Sequence, residues 1–292
     1  MIGIFVCTYQ RPSIRDCLLS LIASVRQAGN PDVELHVVDN DANGSGQSLV
    51  NAVSAEMDFP VHYQVESRPG IASARNRCLD IARERVEWLL FVDDDETVKP
   101  DWLAGYLSAM EEKSAAAYVG LVETLYPDYV EAAIQGSGLH DRQQRPHLSL
   151  VKNGACNNCA FSMAFLQQHH LSFDGRYNQM MGEDSDLFEQ IHQLGGSIVW
   201  NAQSVVSEIL VPERATRAWV FQRYERVGQT YALRKKRYLS KSGVFKELIQ
   251  SLLNAGIAWS LAWICRFLPA KHVRFYAYFL RNRAKVRAFL SS

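Results

Sequence analysis

The chain of 292 residues contains no low-complexity tract and no internal repeat, which argues against a disordered or a solenoid protein. Residues 1–9 lack the basic lead-in and long apolar core of a secretion signal, so we expect a first β-strand there. A reducing, cytoplasmic compartment is therefore expected, with no disulfides among the six cysteines. Cys156 and Cys159 are spaced like a metal or redox pair, but a second ligand pair is missing, which favours two buried thiols.

Acidic residues are scarce near the C-terminus. The whole chain has 31 basic and 31 acidic residues and a formal net charge of zero. Residues 212–292, however, contain 17 Lys and Arg against 3 Asp and Glu, a net charge of +14, and the remainder carries −14. This division predicts a catalytic part followed by a basic tail with an anionic partner. Since no recognised nucleic-acid motif accompanies the charge, nucleic acid is not the expected partner.

Short apolar runs alternate with helical periodicity over the first hundred residues. Helices are predicted from the N-cap Ser13 to Gly29, over 47–56 and over 71–83. Strands are predicted over 2–6, 33–38, 61–65 and 88–92. This alternation predicts an α/β fold with a mostly parallel sheet covered on both faces. Ligands of such sheets bind at the carboxyl ends of the strands, where the polar segments of this sequence lie.

A run of acids, residues 93–96, directly follows the fourth predicted strand. On an extended segment Asp93 and Asp95 would point the same way, and two such carboxylates repel each other unless a cation lies between them. Oxygen ligands suit Mg²⁺ or Mn²⁺ bound together with substrate phosphates. The alternative is a solvated acidic turn before a helix that begins near Asp101.

Three further groups have both a functional and a structural interpretation. Asp39 ends the second strand and suits a hydrogen bond from a nucleobase or ribose, or else forms a turn. Arg75, near the start of a helix, suits a phosphate, or else lies at the surface. Glu183 and Asp184 precede a helical pattern, where an acid either caps the helix or serves as a general base.

Five segments occur in a recognisable order and spacing: VCTYQRP (6–12), VVDND (37–41), RPGIASARN (68–76), FVDDDE (91–96) and GEDSDL (182–187). Through them, residues 2–230 resemble the family 2 glycosyltransferases of bacterial type, which have the GT-A fold. The resemblance implies a catalytic domain over 1–215, with a Rossmann-like nucleotide-sugar-binding half over 1–115 and an acceptor-binding half over 116–215. Residues 216–292 would form a helical, basic C-terminal extension.

The resemblance also implies roles for individual residues. Thr8, Tyr9 and Arg11 would lie against the nucleotide base and ribose, Asp39 would hydrogen-bond the base, and Arg75 would lie near the nucleotide. Asp93 and Asp95 match the outer positions of the family's DxD motif. Asp93 and Asp94 would contact the donor substrate, with Asp93 near the ribose. Asp95 would be the principal ligand of Mg²⁺ or Mn²⁺ at the diphosphate, with Asp93 as a further ligand. Glu183 would contact the acceptor or the donor sugar, and Asn157 and Asn158 would line the acceptor side.

Asp184 matches the catalytic base of the family, which takes the proton from the acceptor hydroxyl in a single inverting displacement. Members often carry a metal-binding histidine in the strand after the base helix. Here Glu208 stands at that place, so either its carboxylate is the third metal ligand or the third protein ligand is missing. A UDP-sugar is the expected donor, and GDP and dTDP sugars remain open.

In the tail, Trp259, Trp263 and Phe267 are four residues apart, which places them on one face of a predicted helix. The apolar stretch 252–268 is short and interrupted for a membrane-spanning helix, and its basic flanks suit an interfacial one. The alternative is a pair of helices packed on the catalytic domain. Binding at the inner membrane surface would favour a lipid-linked saccharide acceptor and a role in bacterial surface polysaccharide or lipopolysaccharide assembly.

Two other functions are compatible with parts of the sequence. A sugar-nucleotide pyrophosphorylase requires a glycine-rich loop after the first strand, where this sequence has residues 8–12 without glycine. A non-catalytic membrane scaffold would keep the fold without the chemistry, and the presence of Asp93, Asp95 and Asp184 argues against it.

Overall fold

The computed structural model describes residues 1–291. Within them, nine strands form one sheet: β1 (Ile2–Thr8), β2 (Val33–Asp39), β3 (Val61–Val65), β4 (Trp88–Asp93), β5 (Glu96–Val98), β6 (Ala117–Leu125), β7 (Leu150–Val151), β8 (Asn158–Ser162) and β9 (Ile198–Ile209). The strand order is β3-β2-β1-β4-β8-β6-β9-β5, and β7 pairs with β9. Strands β1 to β4 are parallel to one another, as predicted. Antiparallel pairing begins at β8, beside β4.

Ten α-helices occur in the described residues: α1 (Ile14–Gln27), α2 (Gln47–Ser54), α3 (Ile71–Ala82), α4 (Trp102–Glu112), α5 (Ala132–Gln135), α6 (Met163–Gln168), α7 (Glu183–Gln193), α8 (Arg217–Tyr238), α9 (Lys241–Ile264) and α10 (Pro269–Leu290). Ser13 is the N-cap residue of α1, as predicted, although its side chain makes no capping hydrogen bond. The prediction that Phe267 lies on the same helix as Trp263 was also wrong, because α9 ends at Ile264.

The chain forms two compact units. The first comprises residues 1–123, 142–179 and 183–208. Its sheet is covered on both faces, because successive side chains of a strand point to opposite sides. On β1, Ile4 and Val6 belong to the apolar core with α1 and α4, whereas Phe5 belongs to the core with α3 and α7. This two-sided burial positions the carboxyl ends of β1, β2 and β4 at one edge.

The second unit comprises residues 124–141, 180–182 and 209–292. It has its own apolar core, in which Ile134 and Leu139 pack together with Val273 and Ala277 of α10. Residues 124–141 therefore group with the C-terminal helices, because their apolar side chains are buried in the core of that unit. The compact units differ here from the predicted division at residue 215, which remains a prediction about domains.

The side chain of Asn158 joins four segments of the first unit. Its Oδ1 accepts hydrogen bonds from Trp102 Nε1 (2.9 Å) and Tyr106 Oη (2.8 Å). Its Nδ2 donates to the carbonyl oxygens of Leu121 and Ser204, both at 2.9 Å. Asn158 is 1% exposed, and it satisfies hydrogen-bonding groups of α4, β6 and β9, among them the buried Trp102 indole N–H. Asn158 is thus a structural residue, in contrast to the acceptor-lining role expected for it.

We expect Asn158→Ala to lower the free energy of unfolding by about 3 kcal/mol or more, since each buried partner left without a hydrogen bond costs about 1–3 kcal/mol. Urea unfolding followed by far-UV circular dichroism measures this. Asn153→Ala, at an exposed position, is the control and should change the midpoint little. Equal stability of the Asn158 variant and the control would contradict the structural role.

Candidate active site

The ends of three parallel strands lie side by side at one edge of the sheet. Thr8 of β1 is paired in register with Asp39 of β2, and its neighbour Cys7 with Asp93 of β4. The polar residues that follow these strands in sequence therefore converge, as expected for a parallel sheet.

The acidic run at the end of β4 contacts residues at the end of β1 and just after it. Thr8 Oγ1 donates a 2.7 Å hydrogen bond to Asp94 Oδ2. Arg11 forms an ion pair with Asp95, and its Nη1 lies 3.4 Å from Asp94 Oδ1. Tyr9 beside them is 57% exposed, so its ring is available to a ligand.

The expectation of an extended segment through Asp93, Asp94 and Asp95 was wrong. Strand β4 ends at Asp93, and Asp94 and Asp95 form a turn. In this turn both carboxylates lie beside the guanidinium of Arg11, and Asp94 also accepts the hydrogen bond from Thr8. The repulsion within the run is reduced in this way.

Arg75 joins the acidic motif at the end of β4 to the acidic motif at the start of α7. Its guanidinium pairs with Glu183 of α7 and lies 3.3 Å from Asp93 Oδ1. It also stacks near the rings of Phe91 and Phe173, each centroid 5.9 Å from Cζ. Arg75 is 5% exposed, so the alternative of a surface arginine is wrong. Glu183 is equally buried and holds this guanidinium in place.

The acids of α7 have distinct environments. Asp186 is fully buried and accepts hydrogen bonds from Tyr177 Oη (3.2 Å) and Gln190 Nε2 (3.0 Å), which makes it structural. Asp184 is only half-buried and accepts a 2.5 Å hydrogen bond from the backbone N–H of Ser185. Its charge acts on Asp93 and on Arg75, so this carboxylate belongs to the same site.

The carboxylates of Asp93 at the end of β4, Glu96 at the start of β5 and Glu208 near the end of β9 act on one another electrostatically. Glu96 of β5 is paired in register with Glu208 of β9, and Asn157 Nδ2 donates a 2.7 Å hydrogen bond to Glu96 Oε1. Desolvation raises the pKa of Asp93, and Asp95, Glu208 and Asp184 raise it further against the effect of Arg75. Burial likewise raises the pKa of Glu96 well above its ordinary value, and Asp93 and Glu208 add to this.

This donor set fits a hard divalent cation. It is made of carboxylate oxygens, it carries more negative charge than Arg75 and Arg11 balance, and the buried Glu96 Oε2 has no hydrogen-bond partner. Mg²⁺ and Mn²⁺ prefer such oxygen ligands. The pairing of β5 with β9 brings Glu208 into this group, and its role as a metal ligand remains a prediction.

Asp39 is fully buried and organises the loop after β2. Its Oδ1 accepts from Asp41 N (2.9 Å), and its Oδ2 accepts from Gly46 N (2.7 Å) and Tyr63 Oη (2.6 Å). The turn-forming interpretation of Asp39 thus describes the hydrogen bonds present. Contact with a nucleobase remains a prediction.

Asn40 and Asn178 position the start of α3. The amide of Asn40 donates to the carbonyl oxygens of Glu66 and Arg68, and its Oδ1 accepts from Gly70 N, all at 2.8 Å. Gly70 has φ +118°, and a Cβ there would lie 2.4 Å from Asn178. Asn178 Oδ1 in turn accepts from Ser73 N at 3.0 Å.

Sequence reasoning missed four of these residues as contributors to the site: Asn40, Tyr63, Glu96 and Asn178. Glu96 stood in the acidic run and Asn40 in the motif after β2, so both had a signal in their position. Tyr63 had none, because only the pairing of β2 with β3 brings its hydroxyl to Asp39.

A second group of metal-ligating side chains lies away from this edge. The ligand atoms of Glu34, His36 and His62 all lie within 4.8 Å of one another. Glu34 Oε2 is already 3.3 Å from Arg85 Nη1, and Glu34 Oε1 is 2.8 Å from His36 Nε2. Arg85 supplies the positive charge beside the buried carboxylate of Glu34, whereas burial lowers the pKa of His36 and favours its neutral form. We therefore interpret the group as an ion pair of Glu34 with Arg85 beside a neutral imidazole.

Comparison with known proteins identifies the family of this chain. Residues 3–170 match the family model described as glycosyl transferase family 2. The chain belongs to this family. Among curated proteins it is similar to the succinoglycan biosynthesis protein ExoM of Rhizobium meliloti (strain 1021), with 33% identity over 236 residues, which cover 79% of this chain and 74% of ExoM.

Solved structures show the same fold as this family 2 chain. The mannosyltransferase PcManGT from Pyrobaculum calidifontis, in complex with GDP-Man and Mn²⁺, aligns with a TM-score of 0.62 and 18% identity, covering 98% of this chain and 86% of that one. TarS 1-349 of S. aureus, in complex with UDP, aligns with a TM-score of 0.54 and 17% identity, covering 94% and 89%. Family membership favours glycosyl transfer over the pyrophosphorylase and scaffold alternatives.

The ionisation of Asp94 should make the stability of this glycosyltransferase depend on pH. Desolvation raises the pKa of Asp94 to about 6, although the hydrogen bond from Thr8 and the charge of Arg11 act to lower it. The folded protein therefore holds this proton more tightly than the unfolded chain, whose Asp titrates near 3.8. The ionised form destabilises the fold above pH 6, and this destabilisation disappears as the pH falls from 6 to about 4.

We expect Asp94→Asn to raise the free energy of unfolding by about 2 kcal/mol at pH 8 and by little at pH 4. Urea unfolding at the two pH values, with EDTA present, measures this difference. The exposed Asp16→Asn serves as the control. The same change at both pH values would contradict the raised pKa.

Proposed function

We propose that this protein is an inverting, metal-dependent glycosyltransferase of the hexosyltransferase type, which transfers a sugar from a nucleotide-sugar donor to an acceptor hydroxyl. The observation that carries the proposal is the juxtaposition, through Arg75, of Asp93 at the end of β4 with Glu183 in the first turn of α7. This juxtaposition supports one centre in which a leaving group and a base act on the same carbon.

The donor is proposed to be a nucleotide sugar, with UDP as the favoured nucleotide. TarS has been solved with UDP and with UDP-GlcNAc, and PcManGT with GDP-Man and Mn²⁺. We assign Thr8, Tyr9 and Arg11 to the base and ribose, with the exposed Tyr9 ring as the stacking surface. The loop that Asp39 organises is the proposed edge of the base pocket.

Asp93, Asp95 and Glu208 are the proposed ligands of Mg²⁺ or Mn²⁺. When bound, the cation supplies positive charge that neutralises the diphosphate leaving group. Arg75 lies near the nucleotide in this proposal, and it holds Glu183 and Asp93 in fixed positions. Arg11 maintains the turn that presents Asp95.

Asp184 is the proposed general base. It accepts the proton of the acceptor hydroxyl while the acceptor oxygen forms a bond to C1 of the sugar. The bond between C1 and the phosphate oxygen breaks on the opposite face, and the nucleoside diphosphate leaves with the electron pair. One displacement inverts the anomeric configuration, and no covalent enzyme intermediate is formed. Asn157, held by Glu96, and Glu183 are assigned to the sugar and acceptor side.

We expect Asp184→Asn to retain UDP binding and to lose at least about hundredfold in transfer rate, the usual contribution of a general base. Transfer is measured as UDP release from UDP-glucose, UDP-galactose and UDP-GlcNAc with a polyprenyl-diphosphate-linked saccharide extract as acceptor. Asp186→Asn on the same helix is the matched control, because Asp186 is buried and directed away from solvent. Full activity of the Asp184 variant would remove the base assignment.

Asp95→Ala is expected to abolish the part of UDP binding that depends on Mn²⁺, since this residue is the principal proposed ligand. Calorimetric titration with UDP, GDP and dTDP, each in Mn²⁺ and in EDTA, measures the effect. Asp101→Ala, in the same segment and exposed, is the control. Unchanged binding in Mn²⁺ would refute the metal-ligand assignment.

The pathway is proposed to be bacterial surface polysaccharide or lipopolysaccharide assembly. The similarity to ExoM, a succinoglycan biosynthesis protein, supports polysaccharide synthesis. We propose a cytoplasmic protein that works on the inner face of the membrane, with a lipid-linked saccharide as acceptor. The basic charge of residues 212–292 supports an anionic membrane surface as partner.

A further inference from the structure

The large apolar side chains of α9 are on its outside. Of the exposed large apolar residues in the described part of the chain, ten lie between 245 and 268. They are Phe245, Ile249, Leu252, Leu253, Ile257, Trp259, Trp263, Ile264, Phe267 and Leu268, with exposed fractions from 41% to 80%. We call this set the α9 apolar surface.

The inner face of α9 is made of small residues. Its buried residues are Ser251, Ala258 and Ala262, and the helix packs on α10. A helix of a water-soluble domain has the reverse arrangement, with its large apolar residues facing the core. Small residues between packed helices and large apolar residues outside are typical of helices in contact with lipid.

Charge is confined to the ends of the α9 apolar surface. Lys241 and Lys246 are exposed at its N-terminal end, and Arg266 and Lys271 at its C-terminal end. The acid of this helix, Glu247, accepts a 3.1 Å hydrogen bond from Tyr231 Oη of α8. Arg266 lies 4.5 Å from the ring centroids of both Trp263 and Phe267, so cation and aromatic groups form one edge. Tryptophan and basic residues together are characteristic of the lipid headgroup region.

The length and charge of α9 favour a helix lying in the interface. In the described residues, no helix is both long enough and apolar enough to cross a membrane. Twenty-four residues span about 36 Å, and an interfacial helix of this length buries its apolar face about 5–10 Å deep while its lysines remain in the headgroup layer.

We propose that the α9 apolar surface inserts into the headgroup and acyl boundary of an anionic bilayer, with Lys246, Arg266 and Lys271 bound to lipid phosphates. This inference deepens the proposed function and rests on it for the choice of partner. In this proposal α9 is the segment that binds the membrane, and the side chains of the α9 apolar surface enter the bilayer.

The test uses the purified full chain and sedimentation with vesicles of phosphatidylcholine alone or with one third phosphatidylglycerol. Ile257→Ser combined with Ile264→Ser should weaken binding about tenfold or more, since both side chains leave the acyl region. Leu150→Ser combined with Leu290→Ser is the matched control, because these leucines are 64% and 68% exposed and lie outside the surface. Equal binding of the two double variants would overturn the proposal.

Two further measurements separate the contributions. Arg266→Gln combined with Lys271→Gln should reduce binding to the anionic vesicles by about tenfold or more and leave binding to phosphatidylcholine unchanged, whereas Arg145→Gln should have no effect. The fluorescence of the wild-type chain should shift to shorter wavelength with vesicles, and Trp259→Phe with Trp263→Phe should remove the shift but retain binding. A wild-type spectrum unaffected by bound vesicles would contradict insertion.

A second copy of the chain is the competing occupant of this surface. If the serine variant changes a dimer to a monomer in light scattering while the wild type fails to bind vesicles, the surface is a subunit interface and the proposal is wrong. UDP titration without vesicles is run on every variant. Vesicle binding without UDP binding would refute the proposed function but support the membrane-binding proposal. UDP binding without vesicle binding would support the proposed function and refute the membrane-binding proposal.

Discussion

The site depends on one buried cation. The guanidinium of Arg75, at 5% exposure, lies between Glu183 of α7 and Asp93 of β4 and over two phenylalanine rings. A buried charge without a partner is strongly destabilising, so the buried Glu183 and Arg75 require each other. Asp93, whose side chain is 39% exposed, adds a second negative charge beside the guanidinium. Because α3, β4 and α7 each contribute one of these three groups, the arrangement brings together motifs that lie more than a hundred residues apart.

Arg75 does not neutralise all of the carboxylates around it. Asp93, Asp94 and Glu96 all have raised pKa values, because desolvation and neighbouring acids disfavour their ionised forms. A folded protein tolerates such a cluster at a loss in stability where the site serves a positively charged ligand. The same carboxylates that destabilise the free protein are the ones that suit a divalent cation.

The C-terminal unit differs from the site in that its unusual feature is exposed apolar side chains, not buried charges. Its core, with Ile134, Leu139, Val273 and Ala277, takes in a segment from the middle of the chain. Its helix α9 contributes mainly small residues to the interior, so its large side chains remain outside. The apolar exposure of α9 and the basic charge of this unit are therefore two properties of one surface.

Much of the fold was predictable from local patterns. The first four strands and three helices follow from apolar periodicity, and the polar residues after β1, β2 and β4 follow from the rule for parallel sheets. The resemblance of five ordered motifs identified the family, which the family match confirms. These features are local in sequence, and side-chain type and spacing are sufficient to recognise them.

Other features required tertiary contacts. Periodicity could not show that Asp186 is structural and Asp184 half-exposed, because that difference depends on Tyr177 and Gln190. It gave no sign that Asn158 holds four segments while Asn157 binds Glu96, or that Asp94 and Asp95 turn towards Thr8 and Arg11. Each of these roles depends on which distant group the folded chain brings within about 3 Å, and a hydrogen bond or ion pair has a direction that a one-dimensional pattern does not record.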